Sequence, residues 1–233
     1  RSALMGLSVR DISLNLLRWL FGAVFLFSGL TKAVDPVGTS VFVEKYLATY
    51  GLDALMEFAL PIAVALATVE LTLGIAVIIN AFHRLTLRIS LLFVALFTLI
   101  TLLSATVLPI GDCGCFGDAL ILTNWQTFEK NLLLLVMSIY LLFHRHFINP
   151  LVSVKRQWLV TVVTVLLLVR FTLNNIMGLP ILDFRPYKVG TDLRTEIYEK
   201  SNPLMADFFI LDDNLNDVTP MLLEDSGYTF LLV

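Results

Sequence analysis

Five long apolar segments limit what this chain can fold into. They run over about Leu14–Val34, Leu55–Asn80, Leu87–Leu108, Phe128–Phe143 and Trp158–Met177. Their lengths are near the roughly 20 residues that cross about 30 Å of hydrocarbon at about 1.5 Å per residue. Because lipid offers no hydrogen-bond partners, a spanning backbone must satisfy its own polar groups. We therefore expect five transmembrane helices.

The composition supports this fold class. Hydrophobic residues make up 58% of the chain and charged residues 15%, whereas a soluble domain has about 45–50% apolar and about 25% charged residues. This excess excludes a water-soluble domain and makes the lipid bilayer the main partner. The net charge of -3 gives no reason to expect a nucleic-acid partner.

The distribution of Lys and Arg predicts the orientation. The N-terminal segment and the second and fourth loops carry most of the positive charge: Arg1, Arg10, Arg18, Arg84, Arg88, Arg145, Lys155 and Arg156. The first loop has Lys45 with Lys32 at its edge, and the third loop has no Lys or Arg. By the positive-inside rule, the N-terminus is cytoplasmic, and the first and third loops and the tail lie outside. We expect a multi-pass protein of the bacterial inner membrane.

The tail from Leu179 to Val233 differs from the rest of the chain. It is rich in Asp and contains two short apolar runs, Phe208–Leu211 and Tyr228–Val233, which have the composition of β-strands. Because an exposed apolar strand is a poor terminus, we expect the natural protein to continue beyond Val233.

The motif with the clearest chemistry is Gly111-Asp112-Cys113-Gly114-Cys115-Phe116-Gly117-Asp118 in the third loop. Its two cysteines are the only ones in the chain, and outside the cytoplasm thiols tend to be oxidised. A disulfide across one intervening residue closes a very small ring, which gains little stabilisation from chain entropy. Strained, exposed disulfides are the labile and catalytic ones. The motif therefore favours thiol–disulfide exchange by Cys113 and Cys115.

Two other interpretations of the cysteine pair stay open. Two thiolates can bind a soft metal, but a closed zinc site needs four ligands. The three histidines, His83, His144 and His146, fall on the predicted inner side. We therefore expect no metal site. The pair can also be a turn that happens to contain two cysteines.

The sequence resembles the MauE branch of the DoxX-like membrane proteins over about residues 13–145. The resemblance is carried by Cys113-Gly114-Cys115-Phe116-Gly117, Trp125, Lys130-Asn131, Phe27-Ser28-Gly29-Leu30-Thr31-Lys32-Ala33-Val34-Asp35-Pro36, Pro61, Glu70-Leu71 and Gly74. It implies a four-helix membrane module with a redox role, a thioredoxin-like partner, and disulfide formation in an extracytoplasmic enzyme. The end of the tail resembles the opening strands of a thioredoxin-like domain of the TlpA type.

These observations predict an all-α membrane protein: a four-helix DoxX-like transmembrane bundle plus a fifth transmembrane helix, with a short extracytoplasmic tail containing β-strands. We expect the membrane module in residues 1–148, and a cytoplasmic loop with the fifth helix in residues 149–178. Residues 179–233 are expected to form the tail, the start of a thioredoxin-like domain.

Several polar residues are candidates to support the cysteines. Glu70 and Arg170 lie about 15 Å and 18 Å from the inner ends of their spans, so we expect them to pair or to share a polar cavity; a proton relay through Glu70 is the functional alternative. Lys32, near the outer surface with Asp35, would favour a thiolate, unless it extends to the lipid headgroups.

Three further residues flank the cysteines. Asp112 and Asp118 would disfavour a thiolate and also fit as turn residues. Trp125 is typical of the membrane interface.

Together the sequence predicts a membrane thiol–disulfide redox protein with a thioredoxin-like partner. The chain has no cysteine for a relay to the inner side, so membrane quinone is the simplest route for the electrons; no other cofactor motif is evident. The non-enzymatic alternative is an assembly or scaffold subunit of a larger membrane complex. A transporter is disfavoured, because no paired broken helices occur in corresponding halves.

Overall fold

The computed structural model describes residues 9–107, 122–147, 150–178 and 216–224. The chain divides into two compact units, Arg1–Leu182 and Asp183–Val233. The first unit contains α1 (Val9–Val34), α2 (Pro36–Thr49), α3 (Ala59–Ile79), α4 (His83–Thr106), α5 (Asn124–Phe143) and α6 (Val154–Met177). Short 3₁₀ helices lie at Asp53–Phe58, directly before α3, and at Arg145–Phe147.

Five helices of the first unit are long and apolar enough to cross a membrane. They are α1, α3 with its preceding 3₁₀ turn, α4, α5 and α6. This confirms the five spans expected from the sequence. Helices α1 and α6 begin a few residues before the apolar segments do, because a helix can continue past the hydrocarbon into the more polar interface.

We expect a loop between the first two spans from the sequence, but the structure has helix α2 there. Its start is well defined: Asp35 Oδ1 accepts a hydrogen bond from Gly38 N at 2.8 Å, and Pro36 occupies the first turn. Both are standard features of a helix N-terminus. Helix α2 packs mainly against α3. The connection between the first two spans is therefore an ordered helix.

Helices α1 and α3 touch through their backbones. A Cβ atom on Gly74 would lie 2.9 Å from Leu26 N and 3.0 Å from Gly22 O, and one on Gly29 would lie 2.8 Å from Leu71 N. Small residues allow such close helix approach in membranes, where helices associate through van der Waals packing. This contact fixes the relative position of α1 and α3.

Helices α4 and α5 form the other closely packed pair. Asn131 Nδ2 donates a hydrogen bond to Thr101 Oγ1 at 3.3 Å, and Asn124 Nδ2 donates one to Ser104 O at 3.2 Å. A capping box between Thr123 and Gln126 starts α5. These bonds hold together the two helix ends that the cysteine-containing connection joins.

Helix α6 lies at the edge of the bundle. Its buried residues are Gln157, Thr172 and Asn175. Asn175 Nδ2 donates to Ala33 O at 2.9 Å, and Gln157 Oε1 accepts from Phe82 N at 2.9 Å. Two side-chain amides therefore tie this mostly exposed helix to the rest of the unit.

In the second unit the structure describes one six-residue helix, α7 (Thr219–Glu224). Asp217 Oδ1 accepts a hydrogen bond from Thr219 N at 2.9 Å, and the hydrogen bonds with Thr219 hold the pKa of Asp217 below its usual value. The two predicted strands, Phe208–Leu211 and Tyr228–Val233, lie outside the described residues. The helical part of the fold prediction is thus confirmed, and the strands remain a prediction.

Candidate functional site

The predicted centre of the site, Cys113 and Cys115 with Asp112 and Asp118, lies outside the described residues. The structure does describe both ends of the α4–α5 connection that contains it. The next described residues are Val107, which caps the end of α4, and Leu122, just before α5.

Trp125 lies in the first turn of α5 and is 53% exposed. Its ring meets the ring of Phe128 edge-on, with 6.1 Å between the centroids. The interfacial role of Trp125 stays a prediction.

A buried ion pair joins α1 to α3. Lys32 Nζ donates to Glu70 Oε2 at 2.9 Å and to Ser28 Oγ at 2.8 Å, with a longer contact to Ser28 O at 3.4 Å. Lys32 and Glu70 are 4% and 5% exposed. The ammonium therefore turns into the bundle, and the interpretation that Lys32 extends to the lipid headgroups is wrong.

The predicted pairing of Glu70 with Arg170 is also wrong. Glu70 faces the interior, as expected, but its partner is Lys32. Arg170 lies on an exposed side of α6, whereas Thr172 and Asn175 are the buried residues of that turn. Similar depth in the membrane does not bring two side chains together, because it leaves open which way each points around its helix axis.

Asp35 caps the start of α2 with its side chain, which makes no hydrogen bond to Lys32 or Glu70 among the contacts that the structure describes. It is 9% exposed and caps α2, and its backbone O accepts a bond from Thr39 Oγ1 at 2.9 Å. Asp35 therefore helps to set where α2 leaves α1.

Helices α1 to α5 enclose a cavity of about 470 Å³ that is open to the surface. We call it the bundle cavity. Its walls are mostly apolar and aromatic, with Phe25, Phe42, Tyr46, Phe93 and Phe97 among the lining residues. Its polar lining includes Ser28, Lys32, Glu70, Thr101, Lys130 and Asn131. The buried ion pair thus forms part of the wall of an apolar chamber.

The bundle cavity extends towards the cysteine connection. Leu103, near the end of α4, and Lys130, in the second turn of α5, both line it. Tyr50, at the end of α2, also lines it and donates a hydrogen bond to Ile100 O at 3.4 Å. The unpredicted helix α2 is therefore one wall of the cavity.

The sequence did not lead us to expect Ser28 or Asn131 in this site. Ser28 lies four residues before Lys32 on α1, a spacing that places both side chains on one helix face, so the sequence contained a signal for Ser28. Asn131 is 5% exposed and bonds across to α4; a polar residue inside an apolar span would have indicated it.

The model of the family described as "Methylamine utilisation protein MauE" matches residues 10–144. The chain belongs to the MauE family. The matched range runs from the second residue of α1 to one residue past the end of α5 and contains the cysteine motif and the whole lining of the bundle cavity. The MauE family and the five apolar helices together make this a multi-pass membrane protein.

Among curated proteins, the chain is similar to Protein TlpB of Flavobacterium psychrophilum, at 31% identity over 135 residues. The alignment covers 54% of this chain and 35% of that protein. The chain therefore spans about a third of the length of its relative. No solved structure matches the chain significantly.

Within the MauE module, the arrangement can support redox chemistry in an apolar setting. An ammonium and a carboxylate in contact are close to neutral as a pair, which lowers the cost of burying them. Together they offer a hydrogen-bond donor and a group that can carry a proton, at the wall of the bundle cavity.

Proposed function

We propose that this chain is a thiol–disulfide redox protein of the bacterial inner membrane, with its N-terminus in the cytoplasm. Its Cys113–Cys115 pair exchanges electrons with a thioredoxin-like protein or domain at the outer face. The observation that carries the proposal is the placement of the chain's two cysteines in the α4–α5 connection, whose flanking helices line the bundle cavity.

The exchange is balanced as follows. A thiolate of the partner attacks one sulfur of the Cys113–Cys115 disulfide, forming a mixed disulfide and releasing the other cysteine as a thiolate. The second thiol of the partner then attacks the mixed disulfide, so that the partner leaves oxidised and this chain holds a dithiol. Two electrons and two protons have passed to this chain. A small, strained ring favours this direction, because strain raises the reduction potential of a disulfide.

The dithiol must then be reoxidised. We propose membrane quinone as the acceptor, since the chain's only cysteines both lie in one loop and the bilayer dissolves a lipophilic oxidant. One quinone takes the two electrons and two protons and leaves as quinol, which restores the disulfide.

Trapping the mixed disulfide tests the exchange. The single variants Cys113→Ser and Cys115→Ser, expressed in native membranes, are treated with a thioredoxin that has lost its resolving cysteine and whose remaining cysteine is activated as a disulfide with thionitrobenzoate. The free thiol of the variant attacks this disulfide and displaces thionitrobenzoate, which leaves the mixed disulfide in place. We expect a covalent adduct with one single variant, which reducing agent removes. The double variant is the matched control and should give none. An adduct with neither single variant would contradict the proposal.

A second candidate function is assembly within a larger membrane complex. Arg170 lies exposed on the spanning helix α6, and an arginine in the middle of a bilayer costs about 2.5–3.5 kcal/mol on insertion scales. A partner helix with an acidic side chain would remove this cost. Replacing both cysteines separates the two functions, because an assembly subunit would keep its complex.

A further inference from the structure

We propose that the bundle cavity binds the ring of a lipophilic quinone, with Lys32 donating a hydrogen bond to a quinone oxygen and Glu70 transferring a proton to it. This inference rests on the proposed redox function and assigns its electron acceptor to a site. It follows from the cavity's size, its lining and the chemistry of the ion pair.

The size and lining of the bundle cavity suit a flat apolar ring. Its volume of about 470 Å³ lies within the about 300–1,000 Å³ usual for small-molecule sites. Phe93 and Phe97 on α4 stack with 4.6 Å between their ring centroids, and Phe25 of α1 lies 5.9 Å from Phe93. Such a group of aromatic faces favours offset stacking with another ring. Because the cavity is open to the surface, an isoprenoid tail can leave through the opening.

The ion pair indicates a ligand with carbonyl oxygens and not a simple hydrocarbon. Lys32 and Glu70 are buried, yet both line the cavity. The contact of the ammonium with Ser28 O, at 3.4 Å, is longer than its bonds to Glu70 Oε2 and Ser28 Oγ, so this is the N–H that would turn towards a ligand oxygen. Asn131, on α5, also lines the cavity and provides an amide for the second ring oxygen. An acyl chain would gain nothing from these groups.

The electrons and protons balance with the cysteine pair. Two S–H bonds of Cys113 and Cys115 break and one S–S bond forms, which releases two electrons and two protons. The quinone ring accepts both electrons, and its two C=O groups become C–OH groups. Glu70 takes up one of the two protons released by the thiols and passes it to the quinone oxygen nearer to Lys32, and the other proton reaches the second ring oxygen through solvent. The positive charge of Lys32 stabilises the negative charge that develops on the nearer oxygen.

Binding can be measured apart from the redox reaction. A protein with both cysteines replaced by serine, purified in lipid nanodiscs, is titrated with a decyl-substituted 1,4-benzoquinone. We expect saturable binding, and we expect Lys32→Met to weaken it about tenfold or more, since a hydrogen bond to a charged group is worth about 1.5–3 kcal/mol. Lys45→Met is the matched control, because Lys45 is an exposed lysine of α2 outside the cavity lining.

Two further variants test the cavity and the proton transfer separately. Leu66→Trp should block binding by filling the bundle cavity, without removing either charge. In the protein with intact cysteines, Glu70→Gln should slow quinol formation about 100-fold or more, the usual effect of losing a general acid. Glu57→Gln should change nothing, since Glu57 is exposed and outside the lining. Circular dichroism confirms that each variant is folded.

The outcomes separate the site from the function. Equal binding of decylbenzene would overturn the site and indicate a cavity for acyl chains. Binding unchanged in both Lys32→Met and Leu66→Trp would also overturn the site, because the quinone would then bind outside the bundle cavity. Normal binding with no quinol formation by the reduced protein would keep the site but contradict the proposed redox function. Exchange with thioredoxin in a protein that binds no decyl-benzoquinone would keep the proposed redox function but overturn the quinone site.

Discussion

Breaking the Lys32–Glu70 pair should strongly destabilise the bundle. The two charged atoms lie 2.9 Å apart, which corresponds to about 6 kcal/mol at an effective dielectric constant of about 20. Glu70→Gln leaves an ammonium that is only 4% exposed without its counter-charge, with Ser28 Oγ still in contact. Because removing one partner of a buried pair usually costs about 3–5 kcal/mol, we expect a loss of about 3 kcal/mol or more in the free energy of unfolding.

The double variant should recover much of this loss. In Lys32→Met/Glu70→Leu both charges are replaced by apolar side chains of similar volume, a change that is often near neutral for buried pairs. The free energy of unfolding is measured by titration with sodium dodecyl sulfate in mixed micelles, followed by the helical circular dichroism signal. Glu57→Gln serves as the exposed control and should match the wild type. Single variants that each cost less than about 1 kcal/mol, or a double variant that costs their full sum, would refute a coupled buried pair.

Three other predictions concern packing and orientation. Gly74→Ala should lower the free energy of unfolding in the same detergent titration by about 1–3 kcal/mol, because the new methyl group meets the backbone of α1. An unchanged midpoint of the titration would contradict the close contact. Asn175→Leu should cost about 1–3 kcal/mol, since it removes the donor to Ala33 O, and no loss would mean that α6 is held by other contacts. A membrane-impermeant maleimide should label the Cys113–Cys115 loop in intact spheroplasts after mild reduction; labelling only after lysis would reverse the orientation.

The spans were predictable because hydrophobic length is a one-dimensional property. An apolar run of about 20 residues must form a helix in lipid whatever its neighbours do. Helix α2 was missed although its start signals, Asp35 followed by Pro36, are present in the sequence. Its 14 residues are too few to span a membrane, so hydrophobic length does not indicate it.

The partner of Glu70 could not be chosen from depth alone. Glu70, Lys32 and Arg170 are all ionisable residues within or beside apolar segments, and depth favoured Arg170. The contact of α1 with α3 through glycines decides the pairing instead, and it depends on how the helices are rotated. Helix rotation is set by tertiary packing, which a single sequence does not state directly. The bundle cavity likewise depends on the position of α2 and was not predicted.

The redox state of Cys113 and Cys115 in native membranes tests the central claim most directly. Membranes are acid-quenched and labelled with a large maleimide, so that each free thiol shifts the protein on a gel, before and after treatment with reduced thioredoxin and then with decyl-benzoquinone. We predict that the pair is oxidised at the start, that thioredoxin converts it to a doubly labelled dithiol, and that the quinone restores the unlabelled disulfide. A pair that keeps one state through all three steps would contradict the account.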